Sequence, residues 1–125
     1  MVKKRILVVD DTTDISTPLK MYLEKTGAYD VRVENLGAKA LDAAKEFKPD
    51  LILLDVVMPD VDGGDVAAQL EDDPATAKIP VVLLTASVTR QEASEGGGIR
   101  GGRVILSKLI PMKEIVEFIK NYLGA

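Results

Sequence analysis

A chain of 125 residues is the size of one domain and can bury a core without covalent staples. Cysteine and histidine are both absent, which removes disulfides, thiolate and imidazole metal sites, and every histidine-based triad or general base. The net charge is −4, from 16 basic and 20 acidic residues, and a mildly acidic domain is a poor nucleic-acid binder on its own, because neutralising phosphates needs a basic face.

The N-terminal Met1-Val2-Lys3-Lys4-Arg5 is basic, but the apolar run after it, Ile6–Val9, stops after four residues at Asp10-Asp11. That is too short for a signal peptide's apolar region, and no segment reaches the length of a membrane span. The default expectation is a soluble, cytoplasmic protein with no membrane contact. Ile6–Val9 reads as a first strand. Ile15, Leu19, Tyr22 and Leu23 then share one helical face, with Pro18 inside the pattern and Gly27 where a helix-ending glycine belongs. Pro18 is tolerable at the edge of the first turn if the helix begins near Asp14, and implies a kink if it begins earlier.

Val31-Arg32-Val33 alternates and reads as an edge strand. Leu41, Ala44 and Phe47 form a second helical stripe, ended by Pro49. Leu51–Leu54 is a continuous apolar run, as is Val81–Leu84. Continuous runs of this length suit strands buried on both faces of a parallel sheet. Between them, Val66, Ala67 and Leu70 suggest a short third helix that ends before Pro74. A fourth, poorly defined helix follows Ser87. The stretch 96–102 then holds five of the ten glycines and reads as a flexible loop, since each interior glycine costs a helix about 1 kcal/mol. Val104-Ile105-Leu106 is the fifth strand run. Met112, Ile115, Ile119 and Tyr122 mark the last helix, closed by Gly124. That helix is also the candidate homodimer face, but its apolar stripe is needed first for the core.

Strand and helix alternating five times predict a right-handed, doubly wound α/β sandwich. The chain reads as one domain over 1–125, without linker, repeat or a further output domain. In such folds ligands sit at the carboxyl ends of the strands. Those ends carry Asp10-Asp11, Asp55, Thr85-Ala86 and Ser107-Lys108. Clustered carboxylates repel, and a hard divalent cation such as Mg²⁺ relieves this with oxygen ligands. A carboxylate can attack phosphorus to give an acyl phosphate. A cation, a lysine and a hydroxyl can steady the charge on the transferred group. The strand ends therefore point to phosphoryl transfer. The bland alternatives are a helix-start acidic pair at Asp10-Asp11, a strand-end Thr85 serving only backbone groups, and a surface Lys108. The glycine stretch lacks the lysine of a P-loop and precedes a strand where a dinucleotide fingerprint would follow one.

Four segments in this order and spacing give a more specific reading: Ile6–Asp11, Leu53–Gly63, Leu84-Thr85-Ala86 and Lys108. Together they resemble the response-regulator receiver domain of two-component signalling, over the whole chain. The resemblance implies a flavodoxin-like (βα)5 fold with a parallel five-stranded sheet in the order 2-1-3-4-5. It implies that Asp55 accepts the phosphoryl group, that Asp11 binds Mg²⁺ directly and Asp10 largely through water, and that the Val57 carbonyl is a further metal ligand. Thr85 and Lys108 would contact the phosphoryl oxygens. The donor would be a phosphohistidine on a sensor histidine kinase or a phosphotransfer protein. The output would reach a downstream protein or a missing output domain through the face of the fourth helix, fifth strand run and last helix.

Three positions depart from that pattern, Pro18 inside the first helix being one. Leu109, not proline, follows Lys108, and a cis bond there would cost about 3 kcal/mol, so a trans bond is expected. Ile105 stands three residues before Lys108, where the family carries an aromatic switch. The second reading is therefore a degenerate receiver, an interaction module without a conventional phosphorylation switch. An aspartyl-phosphate hydrolase is disfavoured, because Val57 stands where its acid/base carboxylate would be.

Overall fold

A computed structural model describes residues 3–11, 13–56, 62–85, 97–100, 103–107 and 111–123. The elements are β1 (Lys4–Val9), α1 (Thr13–Lys25), β2 (Tyr29–Glu34), α2 (Ala40–Phe47), β3 (Leu51–Asp55), α3 (Gly63–Asp72), β4 (Val81–Thr85), β5 (Gly97–Arg100), β6 (Arg103–Ser107) and α4 (Met112–Leu123). They build one sheet in the order β2-β1-β3-β4-β6-β5. The five strands read from the apolar runs are all parallel and lie in the expected order.

The apolar runs are continuous because both faces of the sheet are covered. Ile6, Val8, Leu51, Leu53, Val82, Leu84 and Leu106 turn to one face, against Leu19 and Leu23 of α1 and Ile115 and Ile119 of α4. Leu7, Val9, Ile52, Leu54, Leu83 and Ile105 turn to the other, against Ala43 and Ala44 of α2 and Val66, Ala67 and Leu70 of α3. The apolar stripe of α4 is thus used in the core. Val31 on edge strand β2 is buried, while Val33 is only half-buried.

Local chemistry sets the helix ends. Gly27 takes φ 78°, the left-handed conformation glycine adopts without a Cβ penalty. Lys48 ends α2 at φ 54°, and the Arg5 guanidinium donates to the Phe47 carbonyl at 2.9 Å. Helix α1 begins at Thr13 and runs through Pro18, so the ring lies beyond the first turn and the Asp14 carbonyl loses its intrahelical donor.

The glycine-rich stretch corrects the sequence expectation. Part of it is a strand: Gly97–Arg100 pairs antiparallel with β6, from Gly97 opposite Leu106 to Arg100 opposite Arg103. Glycine disfavours helix, but its backbone N–H and C=O can still pair with the otherwise open edge of β6. The fourth helix expected after Ser87 lies outside the described residues, as does Gly124. No described helix is long and apolar enough to cross a membrane.

Candidate functional site

Parallel pairing puts the carboxyl ends of β1, β3, β4 and β6 at one end of the sheet, where the open α/β fold gathers its ligands. β1 ends at Val9 and β3 at Asp55, with Val9 opposite Leu54. The next position of each strand brings Asp10 beside Asp55. One carboxylate oxygen from each of Asp10, Asp11 and Asp55 lies within 4.8 Å of the others. Asp10 and Asp55 are buried, and Asp11 is half-exposed.

Three carboxylates so close repel on the order of 3 kcal/mol per ionised pair at the effective dielectric of protein sites. The donor set is all oxygen, which matches a hard divalent cation. The shell of Mg²⁺ is about 4 Å across. The three oxygens lie within 4.8 Å of one another, close to that span, and all are hard donors, so these residues fit such an ion. Soft metals that prefer sulfur or imidazole find no ligand here, because cysteine and histidine are absent.

The backbone around the cluster is pinned from several directions. The Asp10 N–H donates to the Glu34 carbonyl at 3.1 Å. The Asn35 side-chain amide donates to the Asp10 carbonyl at 2.8 Å. Beyond Asp55, the Val56 N–H donates to the Leu84 carbonyl at 3.0 Å, and the Gly63 N–H donates back to the Val56 carbonyl at 2.9 Å. This last contact needs glycine. A Cβ at Gly63 would stand 2.6 Å from the Val56 Cα and closer still to the Asp55 carbonyl oxygen. Asp62 caps α3, its carboxylate accepting from the Gly64 N–H at 2.6 Å. Thus α3 starts hard against the Asp55 backbone.

Thr85 is buried at the end of β4, and its register partner Ser107 is buried at the end of β6. Ile105 is fully buried, packed on the α2–α3 side of the sheet. Val57, Lys108 and the Lys108–Leu109 bond lie outside the described residues. The structure therefore brings together Asp10, Asp11 and Asp55 and sets Thr85 at the same end of the sheet. The close approach at Gly63 and the Asn35 contact were not read from sequence. A loop asparagine ordinarily signals a turn, and its reach to Asp10 depends on the β1–β2 register.

The receiver domain model of response regulators matches residues 6–120. The polar-differentiation response regulator DivK of Brucella anthropi is 35% identical over 123 residues, covering 97% of both chains. DivK of Brucella ovis is 34% identical over the same share. Among solved structures, the N-terminal domain of a response regulator receiver protein from Methanoculleus marisnigri superposes with a TM-score of 0.69 at 34% identity, covering 97% of each chain. The BeF3-activated receiver domain of RstA from Klebsiella pneumoniae gives a TM-score of 0.77 at 26% identity, over 98% of this chain and 100% of that one. The acidic end of this sheet is thus the acidic end of a known family: the chain belongs to the response regulator receiver domains of two-component signalling.

Proposed function

We propose that the chain, as a receiver over residues 1–125, accepts a phosphoryl group on Asp55. The observation that carries this reading is the convergence of the Asp10, Asp11 and Asp55 carboxylates within 4.8 Å at the strand ends. An Asp55 carboxylate oxygen attacks phosphorus, the bond to the donor nitrogen or oxygen breaks, and the leaving group departs with that electron pair. Asp10, Asp11 and Asp55, with the Val57 carbonyl, would hold Mg²⁺, which when bound offsets their repulsion and screens charge on the phosphoryl oxygens. The Thr85 hydroxyl donates to one phosphoryl oxygen and the Lys108 ammonium pairs with another.

The family supports a phosphohistidine donor, on a sensor histidine kinase or a phosphotransfer protein, met in the cytoplasm. A downstream protein or an output domain would read the face that the family forms from its fourth helix, its fifth parallel strand (here β6) and its last helix (here α4). One observation favours a variant reading. Ile105, where the family carries an aromatic, is fully buried in the α2–α3 core. An aliphatic side chain packed there has no ring to rotate. An interaction module without the usual switch is accordingly the second reading.

Incubation with acetyl phosphate and Mg²⁺ tests the first. Intact mass should show one added phosphoryl group in the parent chain, none in Asp55→Asn, and little after metal removal. An unmodified parent would favour the interaction module.

A further inference from the structure

Asp10 and Asp11 belong to one rigid peptide plane, which carries the Asp10 carbonyl and the Asp11 N–H. Asp11 lies beyond the end of β1, where no strand pairing fixes its direction. The direction of the Asp10 carbonyl therefore sets where the Asp11 side chain departs. That carbonyl accepts from the Asn35 side-chain amide at 2.8 Å. Asn35 is itself held on both sides. The Glu34 carbonyl before it accepts the Asp10 N–H at 3.1 Å. After it, the Leu36 N–H donates to the Glu34 carboxylate at 3.2 Å.

We propose that Asn35 is a positioning residue of the cation site, tethering the Asp10–Asp11 peptide so that both carboxylates meet Asp55 at one ion. This rests on the reading of the acidic cluster as a divalent-cation site. The argument is one of tolerance. To share one Mg²⁺ shell the three carboxylate oxygens must sit within about 4 Å of one another, and they lie within 4.8 Å. A freed peptide plane would let Asp11 drift out of that range. Outer partners that orient ligands typically govern metal affinity by about 10–100-fold. Asn35 is neutral, so its removal changes no charge near the ion. It is also an exposed residue, so its removal leaves both cores intact.

The test is Mg²⁺ titration of the parent, Asn35→Ala and Asn35→Gln by calorimetry, with metal-free melting and amide spectra beside it. The expected result is affinity lowered about tenfold or more in Asn35→Ala. Asn35→Gln, which keeps an amide donor, should fall between the two. The metal-free melting point should stay at the parent value while the Asp11 amide resonance moves. Saturating Mg²⁺ should restore acetyl phosphate labelling of Asn35→Ala, which a merely destabilised chain would not show. Asn35→Ala binding within about twofold of the parent would overturn the tether and leave the cation site standing. A parent that binds no Mg²⁺ would overturn the cation site and the tether together.

Discussion

Tyr29 carries a polar group that the core accommodates poorly. The residue is 2% exposed, and its hydroxyl finds no hydrogen-bond partner among the described residues. Burial raises the phenol above its ordinary value of 10.0. A group whose folded value is raised leaves stability intact below its unfolded value. That stability is then lost as pH climbs from about 10 through the folded value. Tyr29→Phe should remove this alkaline loss. Near neutral pH it should leave stability unchanged or raise it by up to about 1 kcal/mol, because an unmet buried hydroxyl is deleted with little change of shape. Denaturant melts at neutral and alkaline pH check both statements; a large neutral-pH loss would mean that the hydroxyl has a partner.

At the scale of elements, the two edges of the sheet are managed differently. The Lys4 N–H donates to the Ala28 carbonyl and the Asp10 N–H to the Glu34 carbonyl, so even-numbered residues of β2 face β1. Val31 then turns its N–H and C=O outward. Helix α1 covers both: the Lys20 ammonium donates to the Val31 carbonyl at 3.0 Å, and the Glu24 carboxylate accepts the Val31 N–H at 3.4 Å. Lys20 and Glu24 also pair with each other at 2.9 Å, and the hydrogen bond from Lys20 holds the Glu24 carboxyl below its usual value. Both side chains are well exposed, so as an ion pair they contribute only a few tenths of a kcal/mol. Their larger role is to blunt an edge that could otherwise pair with another chain. The double change Lys20→Ala and Glu24→Ala should therefore cost under about 1 kcal/mol, while amide exchange at Val31 speeds up and association rises with concentration. Exchange spectra and light scattering would register this; a variant that stays monomeric with a protected Val31 would refute it. On the far edge β5 does the covering of β6, an arrangement the sequence concealed. The glycines there argue against helix, and nothing in local composition says that they pair with the next strand.

Taken whole, the molecule was legible wherever burial wrote itself into consecutive residues. Ile6–Val9 and Leu51–Leu54 are unbroken apolar runs because helices cover both faces, and they gave the parallel sheet directly. Asp10, Asp11 and Asp55 were legible because strand-end acids in a doubly wound fold have one place to meet. Contacts that depend on register between distant segments were not. The tether from Asn35 to Asp10 joins residues 25 positions apart, and the fit of Gly63 against Asp55 and Val56 depends on how α3 docks. Sequence order alone fixes neither. The central claim is that this acidic end takes a phosphoryl group on one particular carboxylate. Borohydride reduction of the acetyl phosphate-treated chain, followed by peptide mass mapping, tests it most directly, since an acyl phosphate is reduced to an alcohol. Homoserine at position 55 is the predicted result; homoserine at position 10 or 11 instead, or at none of the three in a chain that gained the phosphoryl mass, would contradict it.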